Sequence, residues 1–111
     1  MPLICQEHTV AEHSAEYFSQ VLREQTELLD TLNNWPMGWR AFEGIFNGRP
    51  LALMIIAPIP GGWEVKALAV HPASRHRGVG STLLQQVHKE VPTLVWPNCL
   101  QALAERSNSL H

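Results

Sequence analysis

The run Leu51-Ala52-Leu53-Met54-Ile55-Ile56-Ala57-Pro58-Ile59 constrains this chain more than any other stretch. Apolar residues fill both parities, so a strand here is covered on both faces and lies inside a sheet. Asn47-Gly48 precedes it, two residues that tolerate positive φ and favour a tight hairpin. Pro58-Ile59-Pro60-Gly61-Gly62 follows as a second turn. The flanking strands, Trp39 to Phe46 and Trp63 to Val70, are therefore expected to pair antiparallel with it. In the first, Phe42, Gly44 and Phe46 share a face. In the second, Trp63, Val65, Ala67 and Ala69 alternate with Glu64, Lys66, Leu68 and Val70.

Around this hairpin-linked core the pattern changes period. Leu3, Ile4 and Cys5 lie in a short strand within Pro2 to Thr9. Phe18, Val21, Leu22, Leu29 and Leu32 recur at helical spacing between charged residues, which predicts helix from Val10 to about Leu32, with room for a break into two. Asn33 to Gly38 is loop. A helix from about Gly78 to Glu90 carries the stripe Leu83, Leu84, Val87 and Val91, and Pro92 stops it. Thr93 to Trp96 forms a short strand, and Pro97-Asn98 can open a last helix. The order β-α-β-β-β-α-β-α is that of a mixed α/β (α+β) sheet with one strand–loop–helix–strand crossover.

The 111 residues make one domain, 1–111. With 45% hydrophobic and 16% charged residues the balance is globular. A net charge of −2 argues against a general nucleic-acid binder. The charges are segregated, however. Up to Leu32 six acids face Arg23 alone, whereas Arg40, Arg49, Lys66, Arg75, Arg77 and Lys89 dominate the middle, where a polyanion would bind. Cys5 and Cys99 form no metal-type spacing and read as reduced thiols of a cytoplasmic protein. No metal site is expected. No apolar run reaches the ~20 residues of a membrane span.

Chemistry concentrates between Val65 and Lys89. A strand enters a short basic loop, Arg75-His76-Arg77-Gly78-Val79-Gly80, which opens a helix. The first helical turn leaves N–H groups unpaired and carries the positive end of the helix dipole. Glycines let an anion approach that backbone, and two arginines add full charges. A phosphate or pyrophosphate is the natural guest. The loop is neither a Walker loop nor a dinucleotide GxGxxG, because Leu83 stands where the third glycine belongs.

Leu68-Ala69-Val70-His71-Pro72-Ala73-Ser74-Arg75-His76-Arg77-Gly78-Val79-Gly80-Ser81-Thr82-Leu83-Leu84 closely resembles the acyl-CoA motif of the GCN5-related N-acetyltransferases (GNAT). That family's pattern is Arg or Gln, two residues, Gly, one residue, then Gly or Ala. Arg75, Gly78 and Gly80 fill it. The resemblance implies the family's acyl-CoA N-acyltransferase fold, shortened at the C-terminus by the two strands that normally follow the last helix. It implies acetyl-CoA as ligand, with the pantetheine arm on the backbone of Leu68, Ala69 and Val70. The pyrophosphate would lie on Arg75, His76, Arg77, Gly78, Val79 and Gly80, with Ser81 near it.

The same resemblance implies transfer of the acetyl group to a primary amine. Glu64 stands where the histone-acetylating branch carries its general base, and His71 is a second candidate. The family's tyrosine acid has no counterpart: Asn98 could begin that pattern and Ala102 follows loosely, but the only tyrosine is Tyr17. Cys99 or Ser107 are the remaining substitutes. The shortened end implies an acceptor side that is either open or completed by a second copy or a partner protein. An alternative reading is an acetyl-CoA sensor that docks on an aspartate decarboxylase precursor. It rests on Arg40 with Phe46-Asn47-x-Arg49-x-Leu51-Ala52, the run Arg75-x-Arg77-Gly78-Val79-Gly80, and Trp96.

Overall fold

A computed structural model describes residues 3–74 and 78–95. Five strands form one sheet in the order β1-β2-β3-β4-β5, with β1 Ile4–His8, β2 Arg40–Phe46, β3 Arg49–Ile59, β4 Gly62–Val70 and β5 Leu94–Val95. The first four pair antiparallel in chain order, and β5 joins β4 in parallel. Short helices α1 Ser14–Tyr17 and α2 Glu27–Asn33 precede β2, and α3 Val79–Glu90 links β4 to β5. The last helix expected from the sequence, with Trp96, Asn98, Cys99, Ala102 and Ser107, lies outside the described residues.

The apolar run over β3 is central, as its two-sided pattern requires. Ala52 to Ala57 are all buried. Their even members join Phe42, Val65, Leu68 and Val70 beneath Leu83 and Val87 of α3 and Val91 just past its end. Leu53 and Ile55 join Ala41, Ala67 and Ala69 on the other face, beneath Phe18, Val21, Leu22 and Leu32. The Asn47-Gly48 turn has positive φ at both residues, 53° and 76°, which matches the twist of a two-residue hairpin.

One expectation is resolved and another changes. The helical stretch, which could be one helix or two, is two, α1 and α2, joined by turns, and Phe18, Val21, Leu22 and Leu32 still pack on one sheet face. The change is in the alternation of β4. Ile55 pairs with Ala67 but Ile56 pairs with Val65, so Lys66 is an extra residue, a β-bulge. Past it the faces swap: Leu68 and Val70 share the α3 side with Val65, and Ala67 and Ala69 turn to the other. Strict alternation would have put Lys66 on one face with Leu68 and Val70, in the α3 core. The bulge leaves it exposed.

Among the described residues no helix is long and apolar enough to cross a membrane.

Candidate active site

The β4–α3–β5 crossover builds the site. His71 N donates to Leu51 O at 2.7 Å, so His71 and Leu51 are a hydrogen-bonded pair of the β3–β4 ladder. Such pairs alternate with non-bonded ones in antiparallel sheets. Ala52↔Val70 and Met54↔Leu68 are therefore non-bonded pairs. The N–H and C=O of Leu68 and Val70 thus point away from β3, toward the β5 side. There β5 meets β4 at Trp63↔Leu94 and Glu64↔Val95, its last described residue. Among the described residues, no strand lies across from Leu68 and Val70. Glu64 and Val95 mark the end of the described β4–β5 pairing, the fork, and the stretch of β4 beyond it carries the expected pantetheine positions Leu68, Ala69 and Val70.

Close contact at the closed end of the fork depends on a small residue. Trp63 N donates to Thr93 O at 3.2 Å. A Cβ on Gly62 would collide with that same Thr93 carbonyl oxygen. Arg40 supports the other side of Trp63. Its guanidinium lies 5.2 Å from the Trp63 ring centre and 5.1 Å from that of Phe42. It donates twice to Glu7, at 3.0 and 2.8 Å. That bond holds the Glu7 carboxyl below its usual range. Arg40 is thus a structural clamp between β1 and the fork.

At the far end of β4, the 3₁₀ turn Pro72–Ser74 leads toward α3. His71 accepts the Ala73 N–H on Nδ1 at 3.0 Å, which closes this turn. This bond occupies Nδ1 of the second base candidate. Arg75, His76 and Arg77 lie outside the described residues. Gly78 caps α3 in the left-handed conformation, φ 75°, a region that costs a side chain energy but not glycine. Among the described residues no side chain caps this helix start. Thr82 N is bonded to Gly78 O at 2.9 Å. The amides of Val79, Gly80 and Ser81 precede it, in the turn whose N–H groups have no partner within the helix. Gly80 is buried and Ser81 half-buried.

Glu64 is not buried. Its side chain is 31% exposed and Oε1 accepts from Lys66 Nζ at 2.9 Å. It leads on the sheet face opposite α3, the face of its partner Ala57. Cys5 is a free, half-buried thiol whose pKa is raised by burial and by Glu90. Among the described residues no group of three His, Cys, Asp or Glu side chains could hold a metal ion.

Sequence reading missed a polar cluster under α1. Glu43 is 3% exposed within β2. Its Oε1 accepts from Tyr17 OH at 2.7 Å, and its Oε2 lies 3.3 Å from both Gln6 Nε2 and His8 Nδ1. His8 Nε2 lies 2.9 Å from Ser14 Oγ, and that oxygen accepts the Ala11 N–H at 2.8 Å. The order Ser14–His8–Glu43 has the connectivity of a nucleophilic triad. Ser14 is wholly buried, however, so no substrate reaches it. The cluster fixes α1 to the sheet. Its signal in the sequence was a carboxylate at an inward position between Phe42 and Gly44. Tyr17 donates to Glu43 and supplies no proton at the fork.

A mixed sheet whose fourth strand opens beside a glycine-started helix is the architecture of an acyl-CoA N-acyltransferase. The chain belongs to the Acetyltransferase (GNAT) family, whose model matches residues 6–108. It is similar in structure to an aminoglycoside 6'-N-acetyltransferase complexed with coenzyme A. The TM-score is 0.64 at 20% identity, over 78% of this chain and 54% of that one. It is also similar to the ribosomal-protein-alanine N-acetyltransferase from Brucella melitensis biovar Abortus 2308. There the TM-score is 0.67 at 15% identity, over 100% and 89% of the two chains. The ribosomal-protein-S18-alanine N-acetyltransferase from Escherichia coli gives 0.67 at 14%, over 96% and 77%. At these identities the likeness is one of fold. The chain spans about half the length of the first of these proteins. A search of curated protein sequences gives no significant match. None of these matches lends support to the decarboxylase-sensor reading.

Proposed function

We propose that this chain, as one acyl-CoA-binding domain over 1–111, is an acetyl-CoA-dependent N-acetyltransferase acting on a primary amine in the cytoplasm. One observation carries the reading: among the described residues no strand pairs with the backbone edge at Leu68 and Val70, and this edge precedes an α3 start whose first turn contains Gly80. An extended thioester arm can add to that edge as a strand would, by main-chain hydrogen bonds. From Val70 back to Glu64 it would travel ~20 Å. The pyrophosphate is placed on the amides of Val79, Gly80 and Ser81, where helix dipole and free N–H groups favour an anion. Arg75, His76, Arg77 and Gly78 are assigned to the same anion from the family motif.

Acetyl-CoA supplies an activated acyl group with a thiolate leaving group. The chain's own residues hold the arm and receive a proton. Glu64 is assigned the base role because it stands at the fork, where the arm's reactive end would arrive. Its exposure suits an amine that enters from solvent on the face opposite α3. The departing thiolate then takes its proton from solvent or from a residue beyond Val95. A second copy or a partner protein would border the acceptor side.

Calorimetry with acetyl-CoA tests the ligand. Gly80→Trp should abolish binding, because an indole would fill the approach to the first turn; unchanged affinity places the ligand elsewhere. CoA release is then measured against polyamines, lysine peptides and aminoglycosides. Turnover should fall about 100-fold in Glu64→Gln, the usual scale for loss of one proton-transfer group. Full activity in that variant removes Glu64 from the mechanism.

A further inference from the structure

Lys66 occupies an unusual place. It is the extra residue of the β4 bulge, so no residue on β3 opposes it. Its side chain is 41% exposed, and its ammonium lies 2.9 Å from Glu64 Oε1. Glu64 in turn is paired with Val95 at the fork. A primary amine of the chain itself therefore rests on the carboxylate assigned to deprotonate the incoming amine. An ordinary solvated pair of this kind is common on strands and contributes little. Position distinguishes this one: the bulge sets the amine two residues beyond Glu64, where the described pairing of β4 with β5 ends.

We propose that Lys66 stands in for the acceptor amine and is itself acetylated by the chain in cis. This inference rests on the acetyltransferase reading. The ammonium passes one proton to Glu64. The freed electron pair on Nζ attacks the thioester carbonyl carbon, forming the N–C bond as the C–S bond breaks. The thiolate leaves and takes up the second proton that nitrogen sheds, ending as the free thiol of CoA. Glu64 returns its proton to solvent. The product is a neutral amide on Lys66, which no longer forms an ion pair with Glu64. Acetylation would thus release the carboxylate for an external amine.

The chain has one other lysine, Lys89, exposed in the last turn of α3. It reports non-enzymatic acetylation by the thioester. The full chain is incubated with acetyl-CoA and mapped by peptide mass spectrometry, with binding measured in parallel. Expected is a single acetyl group on Lys66, gained at least tenfold faster than on Lys89, at a rate independent of protein concentration. Glu64→Gln should slow it at least tenfold while acetyl-CoA still binds. Binding without labelling, equal labelling at Lys66 and Lys89, or a rate that scales with protein concentration each overturns the proposal. External amines turned over beside an unlabelled Lys66 overturn it while leaving the acetyltransferase reading intact. Absence of acetyl-CoA binding removes both.

Discussion

Tyr17 is the only tyrosine in the chain. Its ionisation can therefore be followed directly by phenolate absorbance. Its hydroxyl donates to Glu43 Oε1 at 2.7 Å. Its pKa is pushed up from 10.0 to about 12, first by burial, then by the bond to Glu43, then by that carboxylate's charge. An acid whose pKa rises on folding holds its proton more tightly in the native state. Its contribution to stability is complete below the unfolded value of 10.0 and is lost as pH rises through the folded value of about 12. Two pH units correspond to ~2.7 kcal/mol at most. Water reaches the half-buried ring, so screening brings this to on the order of 1 kcal/mol. Glu43→Gln keeps an acceptor oxygen but removes the charge. The tyrosine midpoint should then fall but remain above 10.0, because burial persists. The assay is an alkaline absorbance titration with far-UV circular dichroism at each point. A wild-type midpoint near 10.0 in chain that is still folded would refute the reasoning. So would a midpoint unmoved by Glu43→Gln.

Two further variants test the fork. Gly62→Ala drives a Cβ against the Thr93 carbonyl, so the urea midpoint should show a loss of about 1–3 kcal/mol and acetyl-CoA affinity should weaken. Unchanged values in both would mean the strands part elsewhere. Arg40→Lys keeps the charge but loses the two-pronged bond to Glu7 and the planar contacts with Phe42 and Trp63, at a cost of ~1 kcal/mol. The Glu7 carboxyl is lowered by this pairing. Its contribution is present above the unfolded value of 4.5 and is lost as pH falls through the lower folded one. The gap between variant and wild type in urea melts should therefore narrow in acid. A gap constant with pH would assign the loss to ring contacts alone.

Much of this architecture follows from local patterns. The two-sided apolar run in β3 dictated a central strand, because a strand buried on both faces needs neighbours and cover on each. Asn47-Gly48 dictated the hairpin, because both residues accept positive φ. The stripe Leu83, Leu84, Val87 and Val91 dictated α3 and the face it buries. Gly78 marked the helix start, since glycine accepts the left-handed conformation found there.

Tertiary structure decided the rest. The alternation written into β4 placed Lys66 with Leu68 and Val70, whereas pairing with β3 forms a bulge that reverses the faces and leaves Lys66 exposed. A helical stripe from Phe18 to Leu32 left room for a break, but only the packed structure shows that it forms two short helices. Glu43, His8, Ser14 and Tyr17 are scattered over three elements, so no spacing could announce their cluster. Glu64 was found by its register with a motif, but its exposure and its bond to Lys66 arise from strand pairing. Local sequence determined which segments are strands, turns and helix starts, because φ preference and hydrophobic period act over a few residues. Pairing and packing determined which side chains meet, because those contacts join residues far apart in the chain.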